Sequence, residues 1–130
     1  MNRIFLTALF AATAAVAGPY DQPYSIITTD PAPSADPNLR PVIVNRIDDE
    51  NVLANRGVVA PGRHKVTVDL PPRKGYRLAT QETFDLATRP CVRYYVAARL
   101  DSPVSQRWTP VVRSEERIGE CEKRFNLAGK

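Results

Sequence analysis

Few residues of this chain are suited to acid–base chemistry: a single histidine, His64, and one acidic run, Asp48, Asp49 and Glu50. A hydrolytic centre needs a nucleophile or a carboxylate pair beside a positioned base. A lone histidine next to a turn favours a surface position. Three consecutive acids on a short turn point in different directions and supply too few oxygen ligands for calcium. We therefore predict a surface histidine and an acidic turn, with no metal site.

Signatures of known catalytic chemistry are missing from the sequence. It contains no G-x-S-x-G or S-x-x-K motif and no glycine-rich phosphate loop. With one histidine, and with both thiols assigned below to a disulfide, no zinc ligand set can be assembled. The expectation is a protein that is not an enzyme and uses no cofactor.

The only two cysteines, Cys91 and Cys121, favour a structural disulfide. They do not have the C-x-x-C spacing of redox centres. In an exported chain, two cysteines are most simply paired with each other. The bridge would close a loop of 31 residues, for which the chain-entropy model gives roughly 3.5 kcal/mol of stabilisation.

The N-terminus has the organisation of a cleavable signal peptide, predicted over residues 1–17. Residues 1–3 carry one positive charge, and residues 4–17 form an uncharged apolar run that ends in the small-x-small pattern Ala15-Val16-Ala17. The run is shorter than the roughly 20 residues that span a bilayer, and no cysteine is available for lipid attachment at the cleavage point. We predict a mature chain that begins near Gly18, without lipidation or stable membrane insertion, in the periplasm or outside the cell.

Residues 18–39, the leader, are rich in proline and contain three acids, Asp21, Asp30 and Asp36, before the first basic residue of the mature chain at Arg40. Proline removes a backbone donor and fixes φ, which excludes a helix or a central strand over most of this stretch. Residues 24–29 are the one part able to form a strand. We expect that strand to dock along the edge of a sheet.

The rest of the chain, residues 39–130, is basic. It holds all of the Lys and Arg side chains except Arg3 and all of the Asp and Glu side chains except the three leader acids, which leaves 17 basic and 11 acidic residues. Such an excess attracts anionic protein patches or envelope polymers, although a modest excess of arginine is also common in soluble proteins. The predicted partner is therefore a protein or an anionic envelope component, and nucleic acid is not expected.

Short β-type runs separated by turn signals follow the leader, as in an antiparallel sandwich. They cover residues 41–47, 52–59, 64–70, 76–86, 91–100 and 108–113. The predicted fold is all-β: a small antiparallel β-sandwich of about six to seven strands with one disulfide. Residues 40–130 form its single domain, behind the signal peptide and the extended leader.

The run 91–100 alternates most cleanly and is followed by a hairpin loop at residues 101–107. A hairpin centred near Val104 places residue 91 opposite about residue 117, so a bulge or loop brings Cys121 within reach of Cys91. Residues 114–125 are ambiguous between strand and helix. Gly119 favours the strand or a single turn.

Three short motifs lie within residues 41–113. A first strand ends in an acidic turn (residues 42–49), Pro-Gly-Arg-His-Lys-Val occupies residues 61–66, and Val-Arg-Tyr-Tyr-Val occupies residues 92–96. They resemble, respectively, the opening strand, the PG-x-H-x-V element and the x-x-Y-Y-V strand of the PEGA-like and DUF2846-like β-sandwich modules of bacterial envelope proteins. The chain departs from them in having Asp48-Asp49 where Asp-Gly is usual, in Cys91, and in the added tail from Trp108 to Cys121. The resemblance implies a fold and a surface that binds, and implies no reaction.

The candidate binding residues are Arg93, Tyr95 and Arg99, which share one face of the run 91–100, with Arg107 and Trp108 as an extension of that patch. Arginine and tyrosine are enriched at binding hot spots. The alternative is that Tyr95 and Trp108 complete a second core layer and the arginines cover it.

The favoured function is a non-enzymatic exported binding or accessory module that recognises a protein or envelope polymer through this face or through a sheet edge. A secreted hydrolase inhibitor acting through the loop 101–107 is an alternative. A small enzyme with an unrecognised site, built on a pocket that joins His64 to a carboxylate, is a second one.

Overall fold

The computed structural model describes residues 18–30, 32, 34–71, 80–102, 104–105 and 107–127. The predicted signal peptide and the first residues of the predicted strand 76–86 lie outside this part. Within it, nine strands and one short helix confirm the all-β prediction. The elements are β1 (Ser25–Thr29), β2 (Leu39–Pro41), β3 (Ile43–Ile47), β4 (Glu50–Asn51), β5 (Arg56–Val59), β6 (Gly62–Leu70), β7 (Thr80–Thr88), β8 (Val92–Leu100), β9 (Trp108–Arg117) and α1 (Gly119–Arg124).

The strands form two sheets. Sheet A has β8 at its centre, with β9 along one side and both β1 and β2 along the other, and β5 lies beyond β1. Sheet B has the order β4-β3-β6-β7. All strand pairs are antiparallel except β1 with β8, which is parallel.

The main core lies between the two sheets. The predicted alternation of β8 is confirmed, because Val92, Tyr94, Val96, Ala98 and Leu100 are all buried on the inner face. Sheet B contributes mainly β-branched residues of β3 and β6, which pack well on a pleated surface, together with one leucine each from β6 and β7. The sheet B members of this cluster are Val44, Ile47, Val66, Val68, Leu70 and Leu86.

Strand β1 occupies an inner position of sheet A, and the prediction that it docks at a sheet edge is wrong. Ile27 pairs with Tyr94 of β8 on one side and with Gly57 of β5 on the other. The prolines of the leader flank this strand without entering it, so every residue of β1 keeps its backbone donor. Gly57 allows the close approach of the sheets, because a Cβ there would lie 2.2 Å from Ile47 Cδ1.

The predicted strand 41–47 is two strands in different sheets. β2 ends at Pro41 in sheet A, and β3 begins at Ile43 in sheet B. Val42 lies between them and is buried in the main core. A proline cannot donate to a ladder, so the pairing of β2 stops at the residue from which the chain crosses between the sheets.

The disulfide Cys91–Cys121 is confirmed, with a Cα–Cα distance of 5.3 Å. The hairpin register differs from the predicted one by a single residue, because Ile118 N–H donates to the carbonyl oxygen of Cys91 at 2.9 Å. The ambiguous C-terminal segment contains both elements: β9 continues to Arg117, and α1 then carries Cys121. No helix among the described residues combines the length and apolarity needed to cross a membrane.

Helix α1 packs on the outer face of sheet A and creates a second, smaller core there. Its buried members come from the leader, the start of β8 and the C-terminal segment: Tyr24, Ile26, Cys91, Ile118 and Cys121. The disulfide lies at the centre of this cluster, so it fixes the helix to the outer face of the sheet.

Candidate functional site

Arg93 and Tyr95 lie on the outer face of sheet A, as predicted, but both contact the same acid. Arg93 Nη1 lies 3.2 Å from Glu116 Oε1, and the Tyr95 hydroxyl donates to Glu116 Oε2 at 2.9 Å. Partial burial and this hydrogen bond to Glu116 raise the pKa of Tyr95 above its ordinary value of 10.0. The two side chains are therefore held in place by β9.

Arg99 lies on the same face, six residues further along β8, which is about 20 Å from Arg93 at the rise of a strand. It is paired with Asp36 of the leader at 3.5 Å. Arg99 thus belongs to a different end of the face, where the leader crosses it. The structure does not bring Arg93 and Arg99 into one contact site.

All three acids of the leader contact arginines of the later chain. Besides the Asp36–Arg99 pair, Asp30 lies 4.0 Å from Arg113 and Asp21 lies 3.5 Å from Arg124. Exposed pairs of this kind each contribute little to stability. Together they relate to the charge asymmetry of the sequence, because the acidic leader lies beside arginines of β8, β9 and α1.

The prediction that Trp108 extends the binding patch is wrong. Trp108 pairs with Leu100 on the inner face of sheet A, is 8% exposed, and its Nε1–H donates to Thr80 Oγ1 at 2.7 Å. It therefore belongs to the main core, and it does not form a second core layer with Tyr95 as the alternative proposed. Arg107 is exposed in the hairpin loop, at the end of β8 remote from Arg93.

A pocket of about 450 Å³ opens on the outer face beside α1. We call its buried lining residues Tyr24, Ile26 and Ile118 the floor, and its other lining residues the rim. The lining comes from four separate parts of the chain. The lining residues are Tyr20, Tyr24, Ile26, Arg56, Arg93, Ile118, Glu120 and Arg124. The lining contains three arginines and one glutamate, and we name it the cationic pocket for this composition. Two of the arginines are paired with acids outside the lining: Arg93 with Glu116 and Arg124 with Asp21.

The sheet register explains how the pocket floor is assembled. Ile26 is the partner of Arg93 across the β1–β8 pair and of Val58 across the β1–β5 pair, so these three side chains lie in one row on the outer face. Arg56 follows in the next row of β5, opposite Thr28. The parallel insertion of β1 is thus what brings Arg56 and Arg93 to the same pocket.

The three arginines of the pocket differ in how they are engaged. Arg56 is exposed and its side chain makes no hydrogen bond or ion pair with any other described residue. Arg93 contacts Glu116 and the Tyr95 hydroxyl and has further N–H groups, since a guanidinium carries five. Arg124 pairs with Asp21 and stacks over the Phe125 ring at 5.4 Å. Arg56 is therefore the cation most available to a ligand.

His64 is not the surface residue that the sequence predicts. Its side chain is 12% exposed and is enclosed by Asp48 and Ala60: Nδ1 lies 2.5 Å from Asp48 Oδ2, and Nε2 lies 2.5 Å from the Ala60 carbonyl oxygen. These contacts hold the acidic turn to the start of β6. His64 does not line the pocket described above.

The acidic run itself forms a turn, as predicted, with Asp48 and Asp49 both in the left-handed region of φ. The hydrogen bond from His64 and that from the backbone N–H of Lys65 lower the pKa of Asp48 below 3.8. Among the residues that the structure describes, no group of three or more His, Cys, Asp or Glu side chains is placed to hold a metal ion.

Most of the pocket was not found from the sequence. Of the five predicted site residues, only Arg93 lines it. Arg56 and Arg124 lie 37 residues before and 31 residues after Arg93 in the chain, and no periodicity relates such positions. The one usable signal was Tyr24 to Thr29, recognised as a strand that must pair with some part of the sheet.

Comparison of the chain with models of known families, with characterised proteins and with solved structures finds no match in any of the three. The resemblance to PEGA-like and DUF2846-like modules is untested by these comparisons and stays a prediction.

Proposed function

We propose that the protein is an exported, non-enzymatic binding module that holds a carboxylate group of a protein partner in the cationic pocket. The observation that carries this proposal is the convergence of Arg56, Arg93 and Arg124 above an apolar floor. Planar guanidinium groups match the geometry of carboxylates, and arginine and tyrosine are enriched where proteins bind each other.

The structure of the pocket suits a group that is part apolar and part anionic. Ile26 and Ile118 offer apolar contact, Tyr20 and Tyr24 offer ring surfaces, and the rim of the pocket offers cations. Tyr20 is 41% exposed and packs edge-on against Tyr24 at a centroid distance of 5.0 Å. An acidic side chain next to an apolar one, or a chain-terminal carboxylate, has this chemistry.

The rigidity of the site supports a binding role. The disulfide and the second core fix α1 to sheet A, so Arg124 is held near β8 before any ligand arrives. Preorganisation of this kind lowers the entropy that binding must overcome. Export, on which the proposal also depends, is supported by the N-terminal pattern and agrees with the presence of a disulfide.

The test is photo-crosslinking in intact cells with a crosslinker at position 20, in the Arg56→Gln variant and in the matched Arg63→Gln variant. Arg63 is exposed on β6 and does not line the pocket. We expect Arg56→Gln to abolish a protein crosslink that Arg63→Gln retains. A crosslink to a polysaccharide or lipid instead, or equal crosslinking in both variants, would contradict the proposal.

Inhibition of a hydrolase through the hairpin loop is the second candidate, favoured by one observation. Val104 is 80% exposed at the tip of the loop. Next to it, Ser105 N–H donates to the Ser102 carbonyl oxygen at 3.0 Å and Arg107 N–H donates to Ser105 Oγ at 3.0 Å. Val104→Asp is expected to abolish inhibition of a sensitive hydrolase if this candidate is correct; a panel of hydrolases unaffected by the native protein would exclude it.

A further inference from the structure

The first residue after the predicted cleavage point lies against an acid. The backbone nitrogen of Gly18 is 2.6 Å from Asp21 Oδ2, and Asp21 N–H donates back to the Gly18 carbonyl oxygen at 3.1 Å. The second carboxylate oxygen of Asp21 lies 3.5 Å from Arg124 Nη2. Asp21 therefore joins the start of the mature chain to α1 at the rim of the pocket.

We propose that Asp21 is the binding site for the α-ammonium group that signal-peptide removal creates on Gly18. This inference rests on the export part of the proposed function. A peptidase uses water to break the C–N bond between Ala17 and Gly18: the water oxygen joins the Ala17 carbonyl carbon to give a carboxylate. The released nitrogen of Gly18 takes up protons and is largely a cation at neutral pH.

Cleavage is expected to change the charge of the donor in this contact, from a neutral amide to an ammonium group. In the precursor, the Gly18 nitrogen is a neutral amide with one hydrogen to donate. In the mature chain, the same nitrogen would be an ammonium group beside the same carboxylate oxygen, and charge-assisted hydrogen bonds are the stronger kind. The turn of residues 18–21 is thus closed more tightly after processing.

The new charge also alters the pocket. Arg124 lines it, and the partner of Arg124 is Asp21. Once the ammonium group balances the Asp21 carboxylate, the surroundings of Arg124 are more positive than in the precursor. Signal-peptide removal is therefore expected to strengthen the binding of an anion as well as to anchor the N-terminus.

The experiment compares a chain that begins at Gly18 with a free amino group and the same chain acetylated at that group. Each is made with native Asp21, with Asp21→Asn, and with Asp49→Asn as a matched loss of an exposed acid elsewhere. Urea unfolding is followed by the fluorescence of Trp108. We expect acetylation to lower the folding equilibrium constant about two- to fivefold in the native and Asp49→Asn chains, the range for exposed ion pairs, and to have no effect in Asp21→Asn.

Equal stability of the free and acetylated native chains would overturn the proposal, as would an equal effect of acetylation in Asp21→Asn. N-terminal sequencing of the exported protein separates this outcome from a failure of the export prediction. A mature chain that begins at a residue other than Gly18 would refute the physiological role of the contact, even where the purified Gly18 chain behaves as expected.

Discussion

Arg93 Nη1 lies 3.2 Å from Glu116 Oε1 across the β8–β9 pair, so the arginine that β8 contributes to the pocket is already paired with an acid of the next strand. Arg124 is paired in the same way with Asp21. These acids orient the arginines and also compete with any anionic ligand. Arg56, which has no such partner among the described residues, is left as the first point of attachment.

Replacing Glu116 by Gln is expected to strengthen anion binding about two- to fivefold, because the competing carboxylate is removed while the side-chain shape is kept. The measurement is a calorimetric titration with 3-phenylpropionate. Glu115→Gln is the matched control: it removes the same charge from the neighbouring residue of β9, which pairs with Arg89 instead. Equal gains in the two variants would show a general charge effect and no specific competition at Arg93.

Removing the disulfide in a Cys91→Ala, Cys121→Ala double variant is expected to lower the free energy of unfolding by about 2–5 kcal/mol. Because α1 carries Glu120 and Arg124 of the pocket lining, anion binding should weaken as well. Urea unfolding and the same titration measure the two effects. Retention of full affinity by the double variant would show that the pocket does not depend on the disulfide between Cys91 and Cys121.

The Asp48 carboxylate is expected to stabilise the fold above about pH 4 and to lose this contribution in acid. Its pKa in the folded chain is below the ordinary value of 3.8 because His64 and the Lys65 amide donate to it. The unfolded chain therefore takes up the proton first, and stability falls as the pH drops from about 4 through the lower folded pKa.

Asp48→Asn tests this dependence, since asparagine also tolerates the positive φ of this turn. The side chain is 51% exposed, so solvent screening limits the expected difference at pH 7 to about 1 kcal/mol or less. Urea unfolding of both chains from pH 2 to 7 is the measurement. If the free energy of unfolding of the variant falls with decreasing pH as it does in the native chain, Asp48 does not contribute to this pH dependence.

Trp108→Phe is expected to lower the free energy of unfolding by about 2 kcal/mol or more, since it leaves a cavity in the core and removes the donor to Thr80. Thr80→Val, which removes only the acceptor, should cost about 1 kcal/mol. Neither change should alter anion binding. Circular dichroism follows unfolding here, because Trp108 is the only tryptophan. A loss of affinity in Trp108→Phe at unchanged stability would show that Trp108 contacts the ligand and would contradict its place in the core.

The features predicted correctly from the sequence depend on residues close together in the chain. The buried face of β8 follows from residues that alternate between apolar and polar, and the hairpin to β9 follows from the loop between the two strands. Together they bring Cys91 near the helix that carries Cys121. The sequence does not predict features of the fold that depend on packing between segments far apart in the chain. The alternation of apolar and polar residues along a strand gives no sign that the chain crosses from one sheet to the other at Val42. It also does not reveal that the proline-flanked β1 lies parallel to β8.

The candidate site shows the same division. Arg93 was identified because its own strand fixes which face it shares. Its neighbours in the pocket depend on the pairing of β1 with β5 and on α1, and neither relationship has a local signal in the sequence. The sequence misplaces Trp108 because a shift of one residue at the start of β9 moves a side chain from the solvent face to the core face.

The most direct test of the cationic pocket is a titration of the ¹⁵N-labelled chain that begins at Gly18 with 3-phenylpropionate, and separately with its uncharged amide. The account predicts shifts concentrated at the side chains of Arg56, Arg93 and Arg124, with binding at least fivefold weaker for the amide and for Arg56→Gln but unchanged for Arg63→Gln. Shifts spread over both sheets, or equal binding of the acid and the amide, would contradict it.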